Sequence, residues 1–168
     1  MFIVIKTARL VLKQLSRSDE KPMTELLTND IIKATFMIPD FASQQEVQSA
    51  FEALRKQSLS ENHYILGIYL NNQLIGFVND VETDNDKIEI GYAIHPDYHN
   101  KGYATEALGA VIGDLFSKGY SEIVAGAFDD NQASLHIMEK CGMEQTDKVD
   151  FIDYHGKKHR CVYRSIKK

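Results

Sequence analysis

Residues 87–119 limit most tightly what this chain can fold into. From Lys87 to His95 the side chains alternate, with Ile88, Ile90, Tyr92 and Ile94 on one face and Glu89, Gly91 and Ala93 on the other. That two-residue period is a strand. Pro96 has no amide hydrogen and ends regular pairing. Residues 97–101 are a polar loop, Gly102 follows, and then Ala104, Leu108, Val111 and Leu115 recur at helical spacing until Gly119 stops the helix. A strand that feeds a helix through a glycine loop needs further sheet to pack on, and 122–128 supplies another strand.

The remaining elements follow from the same reading. Residues 9–15 alternate, with Leu10 and Leu12 together, and residues 18–27 form a short helix begun by the polar cluster at Asp19. Ser43 with Glu46 is a capping-box signature ahead of a helix carrying Val47, Ala50, Phe51 and Leu54. Residues 64–70 and 73–78 flank Asn71–Asn72 as a β-hairpin. Asn131 caps a helix over 132–140, stopped by Gly142, and strands over 144–154 and 158–166 flank His155–Gly156. The order predicts an α/β (α+β) fold, a mixed sheet with helices packed on it. No repeat or linker divides the sequence, so residues 1–168 are expected to be a single domain.

Composition removes several function classes. The chain carries 19 basic and 24 acidic residues, a net charge of −5, so its field does not favour a polyanion such as nucleic acid. The basic tail around Lys157, Lys158 and Arg160 reads as a solvated face. The longest apolar runs, 64–70 and 107–113, are far too short to span a membrane, and residues 1–12 lack the pattern of a signal peptide. Two cysteines, Cys141 and Cys161, do not make a disulfide scaffold. A reduced, cytoplasmic protein is expected.

The chemistry concentrates at Gly102. A helix starting there directs unpaired N–H groups and the positive end of its dipole outward. A residue without Cβ lets a phosphate approach the backbone, and Lys101 and Thr105 add a charge and a hydroxyl. The competing reading is a plain turn glycine. Neither G-x-x-x-x-G-K-[ST] nor a G-x-G-x-x-G after a strand is present, which argues against the common nucleotide loops.

The segment His99-Asn-Lys-Gly-Tyr-Ala104 resembles the acetyl-coenzyme A pyrophosphate loop of the GNAT N-acetyltransferases, Gln/Arg-x-x-Gly-x-Gly/Ala. Four more pieces fall in family order. Thr7-Ala-Arg-Leu-Val-Leu12 is similar to the opening strand of the RimJ/RimL branch, the ribosomal-protein N-terminal acetyltransferases and their relatives. Glu89-Ile-Gly-Tyr-Ala-Ile94 resembles that branch's fourth strand, and Asn131-Gln-Ala-Ser-Leu-His-Ile-Met-Glu-Lys-Cys-Gly-Met143 its Asn-x-x-Ser…Glu-Lys-x-Gly-Phe helix. The closing hairpin matches too, so the resemblance covers essentially the whole chain. It implies a GNAT-type, mostly antiparallel seven-stranded sheet flanked by helices.

The resemblance also implies roles. A bulge at Ile94 and His95 would present backbone amides to the pantetheine arm and the thioester carbonyl, as an oxyanion hole does. Asn100, Lys101, Gly102, Tyr103, Ala104 and Thr105 would hold the diphosphate. Asn131 and Ser134 would meet the pantetheine and sulfur end. Two positions depart from the pattern: His99 replaces Gln or Arg, and Met138 stands where many relatives carry a catalytic Tyr. Met138 cannot donate a proton, which leaves Ser134 or water as the acid.

Glu89 is the candidate base. At pH 7 roughly a tenth of α-amino groups are neutral, and well under about one lysine in a thousand, so an acceptor amine needs a proton removed. The competing role for Glu89 is a structural carboxylate. Other constellations are weaker. His95/His99 and His155/His159 have i,i+4 spacing, but Pro96 and Gly156 deny them a helix, and no metal is expected. Cys141 near His136 reads as a packing residue rather than a nucleophile. Phe36, Met37 and Phe41 either line an acceptor pocket or fill a core, and the loop over residues 28–43 is expected to form the acceptor wall. The expected activity is acetyl transfer from acetyl-coenzyme A to a primary amine: a protein N-terminus, a polyamine or another small amine. The alternative is a non-catalytic acyl-coenzyme A sensor. Neither nucleic acid nor membrane is expected as a partner, and a homodimer is left open.

Overall fold

The computed structural model describes residues 2–168. Among the described residues eight strands pair in the order β1-β2-β3-β4-β5-β6-β8-β7, interleaved along the chain with five α-helices. The mixed sheet is as expected. Its eighth strand is not: β1 (Val4–Lys6) pairs antiparallel with β2 (Leu10–Lys13), Ile5 facing Leu12. Three residues are too few to display a period, which is why the sequence pattern missed it. Contacts divide the chain into two units: residues 2–79 with Tyr92–Ala107, and Asp80–Gly91 with Leu108–Lys168.

In the first unit β2 pairs with β3 (Ile65–Leu70), and β3 with β4 (Gln73–Asp84), all antiparallel. Asn71 and Asn72 both have positive φ, +48° and +64°. That is the two-residue turn whose twist matches a right-handed hairpin, and Asn tolerates it. Helices α1 (Glu20–Leu27), α2 (Asp30–Thr35) and α3 (Gln44–Ser58) contribute Met23, Leu26, Ile32, Val47 and Phe51 to a core with Ile65, Tyr69 and Phe77. The wall over residues 28–43 is therefore not all loop. Asn29 accepts the amides of Ile31 and Ile32 and so starts α2. Ser43 caps α3 through the Glu46 amide as the capping signature predicts, while the Glu46 carboxylate accepts from Ala42, one residue before the expected partner. Phe36 and Phe41 pack against this core, Phe36 edge-on to Phe77 at 5.3 Å, whereas Met37 is exposed.

The second unit contains the β4–β5 turn, with β5 spanning Lys87–Ile94. β5 pairs with β6 (Glu122–Phe128) in parallel over Lys87–Ile90. Antiparallel β8 (Lys157–Lys167) and β7 (Glu144–Tyr154) follow. Helix α4 (Tyr103–Ser117) buries Leu108, Val111 and Leu115 and ends before Gly119, whose φ is +100°. Helix α5 (Gln132–Lys140) runs to Cys141 and Gly142. Val124, Phe128, Cys161 and Tyr163 form a small apolar cluster.

Candidate active site

Gly102 stands just outside α4 rather than within it: its φ is +80°, and the first intrahelical bond runs from the Glu106 amide to the Gly102 carbonyl at 3.0 Å. The amides of Tyr103 and Ala104 precede that bond, so no carbonyl within the helix lies four residues back for them. Asn100 is also left-handed, at φ +59°. Two left-handed residues three positions before and just before a helix curl residues 99–102 into a tight loop, an arrangement that gathers backbone N–H groups at one concave surface. Among the loop's side chains, the Lys101 ammonium bonds the Asp97 carbonyl at 3.3 Å and lies 5.9 Å from the centre of the Tyr98 ring.

Ahead of this loop the end of β5 comes unusually close to β4. A Cβ on Gly76 would lie 2.3 Å from the Ala93 carbonyl oxygen and 3.1 Å from the Ile94 Cα. Only glycine admits backbone at that distance, the usual mark of a bulge or a close approach within a sheet. The His95 amide donates to the Ile75 carbonyl at 2.7 Å, which ties it to β4. Its ring Nδ1 accepts the Asp97 amide at 3.1 Å. The His99 ring reaches back five residues, and Nε2 donates to the Ile94 carbonyl at 2.6 Å. Both rings of the first histidine pair are thus engaged with backbone. In the second pair His155 stacks on Tyr154 and His159 on Phe128. Among the described residues no group of three or more His, Cys, Asp or Glu side chains is placed to hold a metal ion.

In the second unit the Asn131 side-chain oxygen caps α5 by accepting the Ser134 amide at 3.2 Å, which places these two residues together at the helix start. Met138, one turn on, is buried at 1% exposure. Burial pushes the Cys141 thiol up, against activation as a nucleophile. Glu89 is half-buried, and burial raises its carboxyl above the ordinary range. The Lys148 ammonium 3.9 Å away pulls it back, while Glu82 and Asp150 push it further up. Lys148 also lies 3.8 Å from Asp150 and 4.2 Å over the Tyr163 ring, whose hydroxyl donates to Asp150 at 2.7 Å. Gly126 makes room for that ring, since a Cβ there would come within 2.8 Å of it.

A family model described as an acetyltransferase (GNAT) domain matches residues 9–144. The chain belongs to the GNAT acetyltransferase family. The uncharacterized N-acetyltransferase YoaA of Bacillus subtilis (strain 168) is 27% identical over 150 residues, covering 86% of this chain and 85% of its own. Two solved structures share the fold. RimL, a ribosomal L7/L12 alpha-N-protein acetyltransferase in complex with coenzyme A, superposes with a TM-score of 0.85 at 16% identity over 98% of each chain. The spermidine N-acetyltransferase of Vibrio cholerae, in complex with coenzyme A and spermine, gives 0.82 at 20% identity over 96% of each.

This GNAT enzyme is an acetyl-coenzyme A-dependent acetyltransferase, and its loop fits the co-substrate's diphosphate: Gly102 is left-handed, lacks a Cβ and opens a fifteen-residue helix. The sequence reading gave no role to three residues that shape this loop. Arg9 donates from Nη1 to the Lys101 carbonyl at 2.9 Å and from Nε to Glu106 at 2.7 Å, and its guanidinium lies 4.4 Å over the Tyr103 ring. The Thr7 hydroxyl and the Arg9 amide donate to the other Glu106 oxygen at 2.6 and 2.8 Å. The signal was in the Thr7-Ala-Arg9 motif. What it lacked was any hint of a partner almost a hundred residues away.

Proposed function

We propose that residues 1–168 act as one N-acetyltransferase domain that moves an acetyl group from acetyl-coenzyme A to a primary amine by direct attack, without an acyl-enzyme. The observation that carries this reading is Gly102, left-handed at the mouth of α4 in a loop of the family's pattern. When bound, acetyl-coenzyme A supplies an activated thioester. Asn100, Lys101, Gly102, Tyr103, Ala104 and Thr105 hold the diphosphate, mostly through backbone amides. With the His95 amide committed to Ile75, the amide of Ile94, the other residue of the expected bulge, is assigned the role of polarising the thioester carbonyl. Asn131 and Ser134 contact the pantetheine and sulfur end, and the Ser134 hydroxyl protonates the departing thiolate. Glu89 receives the amine's proton, directly or through water; its raised carboxyl suits a base that must also let the proton go.

Direct transfer is supported by the state of the cysteines, both of which have thiols raised by burial. The two free thiols also fit a reducing, cytoplasmic setting. The solved relatives acetylate a protein N-terminus and a polyamine, so the acceptor classes to try first are N-terminal peptides and polyamines. Purified protein with acetyl-coenzyme A is incubated with a panel of peptides, polyamines, amino sugars and small amines, and coenzyme A release is followed with mass detection of the acetylated amine. Amide formation on a primary amine is the expected result. Transfer confined to hydroxyl or thiol acceptors would overturn the reading.

A further inference from the structure

We propose that His99 is a positioning residue for acetyl transfer: its imidazole fixes the Ile94 peptide, and so couples the diphosphate loop to the backbone that meets the thioester. The inference rests on the Ile94 assignment above and adds a residue to it. His99 is the first residue of the loop and Ile94 the last of β5. Between them the chain makes only a 3-10 turn, Pro96–Tyr98, which Pro96 and the His95 ring hold from within. A carbonyl at the end of a strand needs a donor, and the His99 side chain is one. A carbonyl only accepts, so at 2.6 Å the His99 ring must carry its hydrogen on Nε2.

The geometric consequence is specific. The peptide groups on either side of Ile94 share its Cα, so holding the carbonyl limits rotation of the neighbouring N–H. Gly76 already brings the Ala93 carbonyl and Ile94 Cα close to β4 on one side, and the Ile94–His95 peptide plane is held at both ends, its N–H by Ile75 and its carbonyl by the imidazole. The amide in between is left with little freedom, as a preorganised oxyanion donor should be. The Arg9 bond to the Lys101 carbonyl holds the far side of the loop, so loss of the His99 bond should loosen the strand end more than the diphosphate cradle. The family's Gln or Arg at this position also ends in an N–H donor, which is the property the departure to His preserves.

The test compares wild type with His99→Leu, which removes the donor, and His99→Gln, which offers another. The first readout is the infrared carbonyl band of acetyl-coenzyme A labelled with ¹³C at the acetyl carbonyl, bound to each protein without acceptor. The second is kcat against coenzyme A affinity with an acceptor from the panel. Wild type should lower the band frequency relative to solution. His99→Leu should lose most of that shift and fall by about ten- to hundredfold in kcat, the scale of a small misplacement of a catalytic group. Its affinity for coenzyme A should change much less, and His99→Gln should restore the shift. A full shift and full kcat in folded His99→Leu would overturn the proposal, as would equal losses of affinity and kcat. No shift in wild type would instead overturn the Ile94 assignment, and the role of His99 with it. Should His99→Leu not fold, ¹⁵N resonances of the wild-type imidazole decide: an Nε2–H tautomer is required, and an Nδ1–H tautomer refutes the bond.

Discussion

Arg9 and Glu106 are joined by two hydrogen bonds, from the Arg9 Nε and backbone amide to the two carboxylate oxygens, and the guanidinium continues to the Lys101 carbonyl. Glu106 lies in the first turn of α4, where a carboxylate also meets the favourable end of the helix dipole. The pair therefore fixes the loop between β5 and α4 from outside, beside the backbone amides of Tyr103 and Ala104 that we propose hold the co-substrate. Burial raises the Glu106 carboxyl, but the bonds from Thr7 and Arg9 outweigh it and hold the group below the usual carboxylate range.

Breaking this pair should loosen the loop. Arg9→Met and Glu106→Gln are each expected to destabilise the protein by about 1–2 kcal/mol, towards the lower end because Arg9 is 44% exposed and screened by water and salt. The double variant should cost less than the sum, because the two share one interaction. A carboxyl held low in the folded state adds stability that is complete above its unfolded pKa and disappears as pH falls through the folded one. Urea melts from pH 7 down to pH 3 should thus show wild type and Glu106→Gln converging in acid. Parallel curves would assign the stabilisation elsewhere.

A second variant addresses the diphosphate directly. Gly102→Val places a β-branched side chain at φ +80° and a Cβ 3.2 Å from the Arg9 guanidinium. Coenzyme A affinity should fall at least about tenfold, as expected when backbone can no longer approach an anion. Titration calorimetry, with circular dichroism to show a retained fold, measures this. Unchanged affinity in a folded variant would remove the loop from the site.

How much of this was legible in the sequence depends on how local each signal is. The Asn71–Asn72 turn, the α5 cap at Asn131 and the stop at Gly119 are settled by two or three neighbouring residues, and all stand as read. β1 and α2 were missed because three and six residues cannot show a period against their surroundings. At the site, Gly102 and its loop were visible as a motif, but the Arg9 clamp, the Gly76 contact and the Lys148 neighbour of Glu89 join residues far apart in sequence. The commitment of the His95 amide to Ile75 is a matter of backbone hydrogen bonding, which no side-chain pattern encodes.

Direct transfer makes a covalent prediction. Incubated with acetyl-coenzyme A alone, the protein should show no added acetyl mass on a cysteine, and Cys141→Ala should keep its activity within about twofold, since a half-buried thiol with a raised pKa offers little thiolate. Intact-mass spectrometry checks the first point and steady-state assay the second. An acetyl adduct that passes on to amine would establish an acyl-enzyme.

The two proton-transfer roles separate by pH and by stability. As a base, Glu89 works only when ionised, and burial has raised its pKa, so the acid limb of kcat/KM should lie above the ordinary carboxylate range. Lys148 lowers that pKa, so Lys148→Met should move the limb to still higher pH. Glu89→Gln should abolish the limb and depress the rate most between the Glu89 and amine pKa values, recovering partly as the amine loses its own proton. Ser134→Ala should lower kcat about ten- to hundredfold across the range, with water replacing the donor only in part. Stability gives an independent sign. A carboxyl raised in the folded state contributes stability that is fully present below its unfolded pKa and is lost as pH rises through the folded one. Above its folded pKa the ionised Glu89 is therefore a burden, and Glu89→Gln should not lower the melting temperature there. A structural carboxylate would behave oppositely, with Glu89→Gln melting earlier at pH 7 while keeping the wild-type pH–rate profile. That pair of results would move the base to water or to another carboxylate.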